Sequence, residues 1–142
     1  MDQPVTPPSS QAPAPAAEPK SRVVLCIEDE HFISELYARA LTSAGYLVTV
    51  EPDGAKGLAE AQTDKYDIIL LDLMVPSMTG TEVLRALRDP AKTPSLRAKV
   101  LVTTNLEQRE ETRADIENQA DGYLIKAEIT PRELVEILNR IG

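Results

Sequence analysis

The segment Asp67-Ile68-Ile69-Leu70-Leu71-Asp72 constrains this chain more than any other. Four bulky apolar residues in a row, with no polar alternation, fit a strand covered on both faces, as in a parallel sheet flanked by helices. Asp67–Leu71 is therefore expected as a central strand, and it ends directly in Asp72. Four further short apolar or β-branched runs follow the same logic: Arg22–Ile27, Leu47–Val50, Val100–Thr103 and Tyr123–Ile125.

Between these runs the apolar period changes to that of a helix. Phe32, Ile33, Leu36, Tyr37, Ala40 and Leu41 recur at helical spacing, and Gly45 supplies a stop. Asp53–Ala61 is a short second helix, with Asp53 as its cap and Leu58 and Ala61 on its inner side. A loop with Pro76 and Gly80 leads to a third helix over Glu82–Arg88, and Pro90 and Pro94 then enforce an irregular connection. A fourth helix, Glu107–Gln119, has only Leu106, Ala114 and Ile116 as apolar anchors. The last helix is the best specified: Thr130 caps it, Pro131 opens it, Glu133 completes a capping box, and Leu134, Val135, Leu138 and Ile141 face inward. Alternation of this kind predicts a doubly wound α/β domain of five βα units over residues 21–142.

Residues 1–20 differ in kind. They hold six of the eleven prolines and almost no bulky apolar residue, so they cannot bury a core and read as a disordered tail with polyproline character. A formal charge of −8 argues against direct nucleic-acid binding, which needs clustered Lys and Arg. Cys26, the single cysteine, lies inside an apolar run and reads as a buried hydrophobe in a reducing compartment. With no secretion signal and no apolar run of about eighteen residues, the expectation is a cytoplasmic protein without a membrane span.

In an open parallel sheet, ligands bind beyond the carboxyl ends of the strands. Standing there are Glu28, Asp29 and Glu30 after the first strand, Asp72 after the third, Thr103 and Thr104 after the fourth, and Lys126 after the fifth. Converging carboxylates repel one another unless a cation neutralises them, and Mg²⁺ suits a few carboxylates with room left for phosphate oxygens. Asp29 and Asp72 could hold the ion. Lys126 and a threonine hydroxyl would stabilise a transferring phosphoryl group, with a carboxylate oxygen of Asp72 as in-line nucleophile. Strand alternation lets only one of Thr103 and Thr104 face such a pocket.

Val24-Leu25-Cys26-Ile27-Glu28-Asp29-Glu30, the stretch from Asp67 to Gly80, and Ala120-Asp121-Gly122-Tyr123-Leu124-Ile125-Lys126 resemble the CheY-like receiver domains of two-component response regulators. The resemblance implies a flavodoxin-like (βα)₅ sheet of strand order 2-1-3-4-5. It also implies a phosphoacceptor, not a turnover enzyme, that takes a phosphoryl group on Asp72 from a histidine kinase or phosphotransfer protein. By the same likeness Glu28 and Asp29 are the acidic pair, and Asp29, Asp72 and the carbonyl of Met74 ligate Mg²⁺. Lys126 pairs with the phosphoryl group, Thr104 is the switch hydroxyl by its spacing from Lys126, and Tyr123 is the aromatic that responds to it. Met74 and Leu106 would stand at the pocket rim, and the readout would be a protein-binding face of the fourth helix, fifth strand and fifth helix. With nothing after Gly142, output is expected by docking to a downstream protein.

Two departures from the family pattern bear on rate more than on site. Ala127-Glu128 replaces the usual proline after the lysine, and Asn105 replaces the usual small residue after the threonine. Three alternatives compete with this reading: a degenerate receiver that only binds partners, an aspartyl-phosphate phosphohydrolase, and a flavin-binding domain. The second would want an acid two residues beyond Asp72, where Met74 stands. The third would want Gly/Ser/Thr-rich phosphate loops. His31 reads as a surface residue at the start of the first helix, and Gly122 and Glu136 do not supply the charges of a winged-helix-type receiver dimer.

Overall fold

The computed structural model describes residues 22–105 and 110–141, except for the side chains at 110 and 111. The expectations for residues 1–20 and for Leu106 lie outside that range. Strands β1 (Val23–Ile27), β2 (Leu47–Glu51), β3 (Ile68–Asp72), β4 (Lys99–Thr104) and β5 (Gly122–Ile125) alternate with helices α1 (His31–Ser43), α2 (Gly54–Ala61), α3 (Gly80–Arg88), α4 (Glu110–Gln119) and α5 (Pro131–Arg140). All strand pairs are parallel and the sheet order is β2-β1-β3-β4-β5. This is the expected doubly wound order.

Side chains of successive strand residues point to opposite faces, so the sheet divides the core in two. Val24, Cys26, Ile68, Leu70 and Leu101 pack with Tyr37, Leu41, Leu134 and Leu138 on the face covered by α1 and α5. Leu25, Ile27, Ile69, Leu71, Val100 and Val102 pack with Val83, Leu84, Leu87 and Ile116 on the face covered by α2, α3 and α4. Every residue of β3 is buried, as its unbroken apolar run requires. Leu134 and Leu138 are fully buried, and truncating either to Ala would cost about 2–5 kcal/mol.

Local signals set the boundaries. The Thr130 hydroxyl accepts from the Glu133 amide and the Glu133 carboxylate accepts from the Thr130 amide, the expected capping box of α5. A second box opens α3. Thr79 and Glu82 cap each other reciprocally, so α3 begins at Gly80, two residues before the expected Glu82.

Two helices depart from the sequence expectation in how they face. Phe32 is 71% exposed and Leu36 also reaches solvent, so Tyr37 and Leu41 carry the burial of α1. In α4, Ala114 is exposed and Ile116 is the buried apolar anchor among the described side chains. Polar contacts from α3 make up the difference: Arg88 donates to the carbonyl of Gln119 at 2.6 Å and pairs with Asp121 at 3.1 Å, and Arg85 stands 3.8 Å from Asp115. Arg22, just before β1, donates to the carbonyls of Leu138 and Ile141 at the end of α5. Among the described residues no helix is long and apolar enough to cross a membrane.

Candidate functional site

The carboxyl ends of β1, β3 and β5 lie on one edge of the sheet, with β4 between β3 and β5, and each releases a charged residue there. Glu28 follows β1, Asp72 ends β3, and Lys126 follows β5; all three are buried. Lys126 Nζ lies 2.6 Å from Glu28 Oε1, 3.3 Å from Asp72 Oδ2 and 3.6 Å from Glu30 Oε1. Glu28 Oε2 accepts from the Glu30 amide at 3.1 Å, which turns the carboxylate back over its own loop. Asp72 Oδ1 accepts from the Met74 amide at 3.2 Å. Each Asp72 oxygen thus has an assigned neighbour, one an amide and one an ammonium.

Glu28, Asp29 and Asp72 each bring a carboxylate oxygen within 4.8 Å of the others, with Glu28 and Asp72 buried and Asp29 exposed. One ammonium faces this group. Burial, and then the charge of Asp72, push the Glu28 carboxyl up to about 7 in spite of Lys126. Burial works against the Lys126 ammonium, but Glu28 and Asp72 outweigh it and hold Lys126 above the ordinary lysine range. Negative charge remains in excess and the donors are all hard oxygens, so the set fits a small divalent cation of the Mg²⁺ type.

The β3–α3 loop closes tightly around Asp72. The Gly80 amide donates to the Leu73 carbonyl at 3.0 Å, and a Cβ at Gly80 would lie 2.3 Å from the carbonyl oxygen of Asp72. No other residue fits there. Met74 sends its side chain outward, 68% exposed. Ser77 holds a left-handed backbone at φ 74°, and its hydroxyl donates to Asp53 Oδ1. That contact is invisible in the sequence, where Asp53 reads only as the cap of α2. Glu30, noted only as one of the acids after β1, also contributes, as the third carboxylate around Lys126.

Thr103 and Thr104 are both buried. Thr103 stands in register with Asp72 and its carbonyl accepts from the Leu73 amide at 3.2 Å. By alternation Thr104 shares its face with Val100 and Val102, the face against which Tyr123 packs. Among the described residues the buried Tyr123 hydroxyl has no hydrogen-bond partner, and the Arg113 guanidinium sits 4.5 Å above its ring. Ala127 and Glu128 form a 3-10 turn with Lys126, and no described peptide bond is cis.

A five-stranded parallel sheet in this order, with five helices and an acidic pocket at its carboxyl edge, defines a flavodoxin-like, CheY-type fold. The chain belongs to the response regulator receiver domain family, whose model matches residues 24–139. Among curated proteins, the response regulator ArlR of Staphylococcus aureus strain Mu50 is 34% identical over 118 residues, covering 83% of this chain and 50% of that protein. The chain therefore spans about half the length of the curated relatives it matches. Among solved structures, the chemotaxis response regulator CheY4 of Vibrio cholerae is 30% identical, with a TM-score of 0.72 over 86% of this chain and 99% of that one. The BeF3-activated N-terminal receiver domain of RstA from Klebsiella pneumoniae is 26% identical, with a TM-score of 0.70 over 82% and 95%. The chain is a receiver domain of two-component signalling.

Proposed function

We propose that Asp72 is the phosphoryl acceptor of this receiver, loaded in the presence of Mg²⁺ by a histidine kinase or phosphotransfer protein. The observation that carries the reading is the placement of a buried ammonium, Lys126, 3.3 Å from a buried strand-end carboxylate, Asp72, in a pocket with two further carboxylates. When bound, Mg²⁺ would supply positive charge to the phosphoryl oxygens. Glu28, Asp29, Asp72 and the Met74 carbonyl would hold it.

The remaining roles fall to the chain. A carboxylate oxygen of Asp72 attacks phosphorus as the P–N bond of the donor phosphohistidine breaks. The bonding electrons leave with the imidazole, which then takes a proton from solvent. The amide of Met74 and the ammonium of Lys126 orient the carboxylate before attack. Afterwards Lys126 is within reach of the added oxygens, and Thr104 turns its hydroxyl toward them. The gain of negative charge redistributes Lys126 among its carboxylates and biases α4, β5 and α5, the face through which we propose a downstream protein docks. Tyr123, whose buried hydroxyl has no hydrogen-bond partner among the described residues, and α4, with its sparse apolar anchoring, are the elements poised to move.

Intact mass measured after incubation with Mg²⁺ and a small phosphodonor tests the reading, with Asp72→Asn alongside. The expected result is one phosphoryl adduct on the wild type and none on the variant. An adduct that survives Asp72→Asn would place the acceptor on another residue and overturn the reading, and no adduct on either would favour a phosphorylation-independent interaction module instead.

A further inference from the structure

The connection between β2 and α2 carries none of the candidate ligands, yet it touches both segments that do. On one side the Glu51 carbonyl accepts from the amide of Glu28 at 3.1 Å, where β1 gives way to the acidic pair. On the other side the Gly54 amide donates to the Pro76 carbonyl at 3.0 Å, and the Ser77 hydroxyl donates to Asp53 Oδ1. Asp53 uses its second oxygen separately: Oδ2 accepts from the Lys56 amide at 2.8 Å and caps α2. The approach is close, since a Cβ at Gly54 would stand 1.9 Å from the Met78 carbonyl oxygen.

The tie falls on a strained residue. Ser77 sits at φ 74°, a conformation that side chains disfavour and that persists only where surrounding structure holds it. We propose that Asp53 is a positioning residue: through Ser77 it holds the β3–α3 loop against the β2–α2 connection and so sets the spacing between Glu28 and Asp29 on one loop and Asp72 and Met74 on the other. The inference rests on the proposed Mg²⁺-dependent function of Asp72. A small cation with strict octahedral demands is sensitive to that spacing, because its ligands come from two separate loops.

Two substitutions separate the tie from the cap. Ser77→Ala removes the donor and leaves the cap of α2 intact. Asp53→Ser keeps one capping oxygen and removes the other. The probe is Mg²⁺ alone, titrated into the full chain and followed by the backbone amide resonances of Asp29, Asp72 and Met74. Each variant is expected to weaken Mg²⁺ binding roughly tenfold, the scale on which outer-shell partners act. The double variant should lose little more than either single one, and metal-free melting should stay near wild type. Unchanged Mg²⁺ affinity in Ser77→Ala overturns the inference, as does a loss of affinity that merely follows a loss of metal-free stability. Wild type that fails to bind Mg²⁺ overturns the proposed function and this inference with it. Wild-type binding with indifferent variants overturns this inference alone.

Discussion

The ammonium of Lys126 lies closer to Glu28, at 2.6 Å, than to Asp72, at 3.3 Å. Lys126 thus serves first as counter-ion to a buried acid that is not the proposed acceptor. Lys126→Met removes the cation and leaves two buried carboxylates facing each other, a loss of about 3 kcal/mol by analogy with other broken buried pairs. Denaturant unfolding in metal-free buffer should show that loss, and added Mg²⁺ should restore part of it. A variant as stable as wild type without metal would mean that the pair contributes nothing.

Glu28 makes a pH-dependent prediction with a definite sign. Its carboxyl titrates near 7 in the folded chain, against 4.5 ordinarily, so the folded state binds that proton more tightly than the unfolded state. The resulting support for folding is complete below pH 4.5 and disappears as pH rises through about 7. Glu28→Gln lacks this titration. In metal-free buffer wild type should therefore lose about 1–3 kcal/mol relative to Glu28→Gln between acid and slightly alkaline pH. A gap between the two proteins that stays constant with pH would count against a raised Glu28.

Gly80→Ala places a Cβ 2.3 Å from the carbonyl oxygen of Asp72 and 2.5 Å from Cα of Leu73. Both are backbone atoms that cannot swing aside. The expected cost is about 2 kcal/mol or more in thermal or denaturant unfolding, with displaced amide resonances at Asp72 and Leu73 and slowed phosphorylation. Normal stability with unshifted resonances would show that the loop yields more easily than its geometry indicates.

Arg88 tests how α4 is held. Its guanidinium bonds the Gln119 carbonyl and pairs with Asp121, which in turn accepts from the Val100 amide at 2.7 Å. Arg88→Ala should speed hydrogen exchange across α4 by about tenfold, equivalent to about 1.4 kcal/mol, and leave β1 and β3 unchanged. Uniform acceleration throughout the sheet would point to global destabilisation instead.

Much of this architecture was legible because the strands are short, buried and punctuated. The run ending at Asp72 and the Thr130-Pro131 helix start are visible in residue types alone. The beginning of α3 was not, because a glycine at the first helical position hid the Thr79–Glu82 box behind it. Phe32 and Ala114 fit a helical period yet face solvent, since periodicity gives a spacing without saying which arc of the helix the sheet covers. At the site, the strand ends pointed to Glu28, Asp29, Asp72 and Lys126, which the structure brings together. The Asp53–Ser77 contact depends on a left-handed backbone at a serine, which no residue preference announces.

Arg22 holds the entry to β1 against the last carbonyls of α5, so the start of the first strand and the end of the last helix meet at the pole opposite the acidic pocket. Joining residues 141 and 22 by a short linker and opening the chain at an exposed loop elsewhere should therefore give a circular permutant with the same sheet. The same proximity gives anything fused at either boundary a shared point of departure. It would be separated from the acidic pocket by the length of a five-residue strand, about 16 Å.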